Sequence, residues 1–324
     1  MARLAALDVG TNSTRLLVAD VEGGAVVAEH VREMVITRLG KGVDRTGRFD
    51  PAALDRTLEV LAGYAETCRR LGVERRRLVA TSATRDAADR QVFLDGVRDL
   101  LGVDAEVLTG QVEAAATYRG ATAGGVRGGR AGPTDGSGLQ GDRPTLVVDI
   151  GGGSTELILG DGATARASVS LDIGCVRLFE RHLHGDPPDP VEVAALRADV
   201  AGHLAGVAEV LDPAAAERVV GVAGTVTTVT AIALGLDAYD PRRIHHQTVD
   251  AAEIGAVAEK LAAMTVAERA AMPVMAKGRE DVIAAGAVLL DELVRTFRLR
   301  AVTASETDIL DGVLLGLADR PGGG

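Results

Sequence analysis

The chain has 324 residues, 47% of them hydrophobic but only 2% aromatic, with no Trp. Its core must therefore be built from Ala, Val, Leu and Ile, and nucleic-acid recognition by base stacking is excluded. A net charge of −11 also argues against a general nucleic-acid or membrane-surface binder.

The first 100 residues hold 16 Lys+Arg against 15 Asp+Glu, so the acidic excess lies in the rest. Cys68 and Cys175 show no CxxC or Cys/His spacing, which leaves them as reduced packing residues. The N-terminus enters a strand pattern at once, with no signal-peptide pattern, and no apolar run is long enough to span a bilayer. The expectation is a cytoplasmic protein.

In chain order, Leu4–Leu7 reads as a strand ending at Asp8. Gly10-Thr11-Asn12-Ser13-Thr14 follows as a turn, with strands at Leu16–Ala19 and Ala25–Val31. Residues 39–48 are a basic Gly-rich loop. Asp50-Pro51 caps a helix to about Leu71. Leu78–Ala80 is a strand closing in the turn Thr81–Asp86, which carries Arg85. A helix over Asp89–Leu101, a strand at Ala105–Leu108 and a helix with Glu113 near its start complete the first half.

Residues 123–143 lose all apolar periodicity and read as a flexible Gly-rich loop. Strand–turn–strand then recurs at Leu146–Leu159, around Gly151-Gly152-Gly153-Ser154. Further helices are expected at Val191–Leu211, from Ala223 to Leu234, from Ala251, at Val266–Ala271 and at Glu280–Phe297. Strands are expected at Arg218–Val222 and Val302–Ala304. Ser305-Glu306-Thr307-Asp308 fits a capping pattern for a last helix, Ile309–Leu317, and the tail 322–324 reads as frayed.

A shift of 141 residues superposes Asp8 on Asp149, Gly10 on Gly151, Ser13 on Ser154 and Leu16 on Leu157. Two related α/β halves follow, each with one Gly-containing turn, and the two turns are expected across a cleft. Such turns aim backbone N–H groups at an anion. Asp8 and Asp149 end the strands before them. A carboxylate beside a phosphate site commonly holds Mg²⁺, which bridges to phosphate oxygen. At the position of Glu156 the first half carries Arg15, so the halves differ where chemistry needs asymmetry. His245-His246 has no partner at metal-ligand spacing and reads as structural or substrate-proximal. No GxSxG or GxxxxGK[ST] is present.

LDVGTNSTRLLVAD, VATSATRDA, TGQVEAA, LVVDIGGGSTEL, VAGTVTTVTAI and PVMAKGREDVIAAGAVLL together resemble the exopolyphosphatase/guanosine pentaphosphatase (Ppx/GppA) phosphatase family over nearly the whole chain. The resemblance implies two actin-like (ribonuclease H-like, ASKHA-type) α/β domains with an interdomain active-site cleft. The first would span 1–122, completed by the helix 306–319, and the second 144–305. It implies Glu113 as catalytic base, with Asp149 and Glu156 assisting it and holding Mg²⁺ or Mn²⁺, and Asp8 near the metal. Gly10, Thr11, Asn12 and Ser13 would form the first phosphate loop, Gly151, Gly152, Gly153 and Ser154 the second, and Arg85 a phosphate-binding group.

The chain ends about where the two-domain core ends, which resembles short actinobacterial-type members, so a short-chain exopolyphosphatase is expected, and the family resemblance also implies a homodimer. The expected partner is inorganic polyphosphate, with neither nucleic acid nor membrane. Beside a sugar- or acetate-type kinase, which would need ATP and an acceptor site, two alternatives stay open. One is hydrolysis of guanosine pentaphosphate (pppGpp), for which Ala223-Gly224-Thr225 sits where superfamily relatives bind adenosine. The other is an actin-fold sensor that binds ppGpp or polyphosphate without turnover, against which Glu113, Asp149 and Glu156 argue.

Overall fold

The computed structural model describes residues 1–123, 126–127, 130–131 and 143–320. Most of the Gly-rich stretch 123–143 and all of the tail 322–324 lie outside the described residues. The chain divides into two compact units, Met1–Gly141 with Thr307–Gly324, and Asp142–Glu306.

The first unit runs β1 (Ala2–Val9), β2 (Ser13–Glu22), β3 (Ala25–Ile36), α1 (Val43–Thr46), α2 (Pro51–Arg70), β4 (Arg75–Ala80), α3 (Ser82–Asp86), α4 (Arg90–Leu101), β5 (Ala105–Val107) and α5 (Gly110–Thr122). A two-stranded ribbon, β6 (Val126–Arg127) and β7 (Arg130–Ala131), follows. The sheet order is β3-β2-β1-β4-β5, with β2 antiparallel to both neighbours and β4 and β5 parallel to β1. Strand β1 is buried on both faces, hence its unbroken apolar run. Alternation sends Ala5, Leu7 and Val9 into one cluster with Leu61, Tyr64, Phe93 and Val97 from α2 and α4. Leu4 and Ala6 enter a second cluster on the opposite face.

The second unit repeats the plan. It runs β8 (Thr145–Ile150), β9 (Thr155–Asp161), β10 (Thr164–Leu171), α6 (Cys175–His182), α7 (Pro190–Leu204), β11 (Arg218–Val222), α8 (Ala223–Ala233), α9 (Pro241–Ile244), β12 (Thr248–Asp250), α10 (Ala251–Ala263), α11 (Val266–Ala270), α12 (Ile283–Thr296) and β13 (Ala301–Ala304). Its order is β10-β9-β8-β11-β13-β12. The first five strands reproduce the order and directions of the first sheet, and β12 adds an antiparallel edge.

The last helix, α13 (Ile309–Asp319), belongs to the first unit. It covers the sheet face bearing Leu4 and Ala6, through Ile309, Leu310, Val313 and Leu314. It also crosses α5 with backbone against backbone. A Cβ on Gly120 would lie 1.7 Å from the Asp308 carbonyl oxygen, and one on Gly312 would lie 1.8 Å from that of Ala116.

Several boundaries differ from the sequence reading. Strand β4 starts three residues early, at Arg75, and Thr81–Asp86 holds a helical turn. Helix α7 stops at Leu204, before Gly206, and a 3₁₀ turn, Val207–Glu209, replaces its expected end. The last N-cap is Asp308. Its Oδ1 accepts from Leu310 N, while Asp311 Oδ2 accepts from Asp308 N, a box three residues later than the one starting at Ser305.

Candidate active site

In the first unit the turn after β1 is closed by Gly10 N donating to Ser13 O at 2.9 Å. The carbonyls of Thr11 and Asn12 point into the protein, accepting from Gly40 N and from Thr37 N and Arg38 N. Their amides donate to no other group among the described residues. The turn is pinned by Thr11 Oγ1, 2.8 Å from Ser82 Oγ at the start of α3. Asn12 Oδ1 is buried without a hydrogen-bond partner.

The second unit builds the same turn. Gly151 N donates to Ser154 O at 3.0 Å. The N-terminal amides of α6 take the loop carbonyls, Cys175 N to Gly151 O and Val176 N to Gly152 O, and Arg177 Nε donates to Gly153 O. A Cβ on Gly174 would meet Gly152 at 2.5 Å, so the loop and the helix start fit only with glycine there. The amides of Gly152 and Gly153, which correspond to Thr11 and Asn12, donate to no group among the described residues. Each unit thus offers two adjacent N–H groups on a rigid turn, the arrangement that receives an anion.

The carboxylates are treated in opposite ways. Asp149 and Glu156 are cross-strand partners on β8 and β9, 8% and 1% exposed. Glu156 Oε1 accepts from Ser170 Oγ at 2.8 Å. Two carboxylates directly opposite one another repel, and a hard cation between them removes that cost. At the matching register of the first unit Asp8 faces Arg15. Asp8 Oδ2 accepts from Arg15 Nε at 3.0 Å and Nη2 at 2.6 Å, while Oδ1 is buried with no hydrogen-bond partner. Burial pushes the Asp8 carboxyl up, and Arg15 opposes it. Arg15 also binds Asp308, and Arg32 holds Asp311 at 2.6 Å. Burial works to raise Asp308, but Arg15 and Arg32 outweigh it and hold this carboxyl below its ordinary value. These pairs tie the start of α13 to β2 and β3.

Glu113 lies in the first turn of α5, whose N-cap Thr109 accepts from Val112 N. It is 6% exposed. Arg85, from α3, donates through Nη1 to Leu108 O at 2.8 Å, and the same nitrogen is 3.4 Å from Glu113 Oε2. Of the residues named from the sequence, Glu113 and Arg85 thus meet within the first unit and Asp149 and Glu156 within the second. No group of three or more His, Cys, Asp or Glu side chains able to hold a metal occurs among the described residues.

One contact had no local signal in the sequence. Arg279 Nη1 donates to Gly224 O at 3.0 Å and to Thr228 Oγ1 at 2.9 Å, and a Cβ on Gly224 would lie 2.1 Å from Arg279 Nη2. The space over Gly224 is therefore occupied by a guanidinium. The rings of His245 and His246 stack at 3.7 Å, and His245 Nδ1 accepts from Glu306 N, which supports the structural reading. No helix among the described residues is long and apolar enough to cross a membrane.

Residues 17–321 match the profile of the Ppx/GppA phosphatase family. Exopolyphosphatase 2 of Mycobacterium tuberculosis is 45% identical over 331 aligned positions, covering 98% of this chain and 99% of that protein. A guanosine-5'-triphosphate,3'-diphosphate pyrophosphatase of Vibrio atlanticus is 36% identical over 55% of this chain and 33% of its own length. Among solved structures, an exopolyphosphatase-like protein superposes with a TM-score of 0.90 at 35% identity, covering 98% of this chain and 97% of its own. Two units with one strand order, a free-amide turn in each and a match over residues 17–321 leave one conclusion: the chain is an α/β protein of two related units and belongs to the Ppx/GppA phosphatase family.

Proposed function

We propose that this chain is an exopolyphosphatase, hydrolysing the terminal phosphoanhydride of short inorganic polyphosphate with Mg²⁺ and releasing orthophosphate. The class of enzyme, a phosphoanhydride hydrolase, follows from the family. The observation that carries the reading is the pair of equivalent turns with free amides, one beside two carboxylates and the other in the unit that holds a buried carboxylate–arginine pair, Glu113 and Arg85. The full-length likeness to an exopolyphosphatase supports the choice of substrate. A cytoplasmic homodimer belongs to the same reading.

In this proposal the amides of Thr11, Asn12, Gly152 and Gly153, with Ser13, Ser154 and Arg85, bind the oxygens of the phosphate end. Glu113 accepts a proton from water as the water oxygen bonds to the terminal phosphorus. The bridging P–O bond breaks, and the shortened chain leaves with its negative charge. Asp149 and Glu156 are the residues that suit Mg²⁺. The cation, when bound, offsets charge on the phosphate oxygens.

Asp149→Asn and Glu156→Gln are each expected to raise the Mg²⁺ concentration for half-maximal activity by at least about tenfold, because loss of a ligand's supporting group alone costs that much affinity. Titrating phosphate release against Mg²⁺ checks this, and a wild-type titration curve in both variants would remove these residues from the metal site. The substrate assignment is tested by kcat/KM on tripolyphosphate, long polyphosphate, pppGpp and ATP, with tripolyphosphate expected highest. A higher value for pppGpp favours the second reading, which rests on the Vibrio atlanticus relative.

A further inference from the structure

At the other end of the first sheet lies a cleft of about 500 Å³ lined by Arg76, Arg77, Arg98 and Arg320, with Asp104 and Glu106 as its only acids. Its origin is in the strand lengths. Strand β5 begins at Ala105, opposite Leu78, so the stretch Arg75–Arg77 of β4 has no strand beside it on that edge. The gap is rimmed instead by the end of α4 and the end of α13.

The arginines are held but not used up. Arg77 binds Glu106 through Nε at 3.0 Å and Nη2 at 2.7 Å, and Arg320 reaches the same carboxylate at 3.1 Å. Arg77 and Arg320 together hold Glu106 below the ordinary carboxylate range, so it stays charged and fixes both forks. Arg98 Nε binds Asp104 at 2.7 Å. The Arg76 side chain makes no hydrogen bond or ion pair among the described residues, and the group it acts on electrostatically is Cys68. Four guanidiniums against the two lining carboxylates and Asp95, 3.7 Å from Arg98 Nη1, leave one positive charge on a cleft of a protein whose net charge is −11. Planar guanidinium forks with spare N–H groups match phosphate oxygens bidentately.

We propose that this cleft binds a chain of linked phosphates, at a site separate from the hydrolytic one. Only the choice of ligand rests on the function proposed above. Arg76 and Ser82 are six residues apart along and just past β4, which at ~3.3 Å per residue is about 20 Å. Tripolyphosphate is too short to touch both ends, so it must bind each site independently. Two sources carry this chemistry, the distal stretch of a long polyphosphate and the 5'-phosphates of a free nucleotide.

The test is calorimetric titration of tripolyphosphate into the full chain in EDTA, where turnover stops, on wild type, Arg76→Gln and Arg76→Glu. Wild type is expected to bind two tripolyphosphates per chain and Arg76→Glu one, with Arg76→Gln weakening the lost event at least about tenfold. Because the Arg76 side chain holds no hydrogen bond or ion pair among the described residues, both variants should melt with wild type. Unchanged stoichiometry and affinity in both variants overturns the proposal. If the hydrolytic reading alone fails, wild type binds one tripolyphosphate and Arg76→Glu none. The sources separate kinetically. A raised KM for long polyphosphate but not for tripolyphosphate in Arg76→Glu assigns the site to the substrate's distal stretch. Loss of an effect of added ATP on tripolyphosphate hydrolysis assigns it to a nucleotide.

Discussion

Glu113→Gln is expected to lower kcat by about 10²–10⁴-fold, the range a positioned general base supplies, while tripolyphosphate affinity stays within about twofold of wild type. Gln has the size of Glu and keeps an oxygen for Arg85, so the first turn of α5 and its Thr109 cap have no reason to move. What is lost is a group that accepts a proton. Arg85 retains its bond to Leu108 O and so stays in place. Single-turnover phosphate release, with binding measured separately in EDTA, gives the split between chemistry and affinity. A variant with wild-type kcat would reject Glu113 as the base. One that loses binding along with turnover would make it a phosphate-site residue instead.

Arg85 makes the comparison sharper. The resemblance implies a phosphate-binding role for Arg85, and in the structure one of its nitrogens is shared between a backbone carbonyl and Glu113. An incoming phosphate end would compete with Glu113 for that guanidinium. Arg85 is thus placed to hold the carboxylate before substrate arrives.

The repeat was legible because its signals are local. Strand alternation, Gly in the turn and an Asp at the strand end all lie within a dozen residues, and the 141-residue shift aligns them directly. It even exposed the exchange of Arg15 for Glu156, which the structure shows as two cross-strand pairs at one register, Asp8 with Arg15 and Asp149 with Glu156. What escaped was charge inside an element and contact across the chain. Arg75-Arg76-Arg77 looks like a loop, yet these residues continue β4, tolerated because that end of the strand borders a cleft rather than a buried sheet edge. Arg15 with Asp308, and Arg279 on Gly224, join residues far apart in sequence. No periodicity announces such pairs. The start of α13 at Ile309 was legible, but Ser305 and Asp308 both suit an N-cap, and the choice is made by Asp311 and the arginines of β2 and β3.

The α5–α13 crossing has the largest expected effect on stability. Gly312→Ala would put a methyl group 1.8 Å from the Ala116 carbonyl oxygen, and Gly120→Ala would put one 1.7 Å from that of Asp308. The obstacle in each case is backbone, which cannot rotate away as a side chain would, so the helices must separate. Ordinary overpacking costs about 1–3 kcal/mol. Here the separation would also pull α13 away from Leu4, Ala6 and Leu17 and strain the buried pairs of Asp308 and Asp311 with Arg15 and Arg32, so a loss of at least about 4 kcal/mol is expected for each variant. Urea unfolding of the full chain measures it, and a loss below about 1 kcal/mol would show that the crossing yields without cost. The same contact reaches function, because Ala116 sits one turn beyond Glu113 on α5. A folded remnant of Gly312→Ala at low temperature should therefore show reduced kcat.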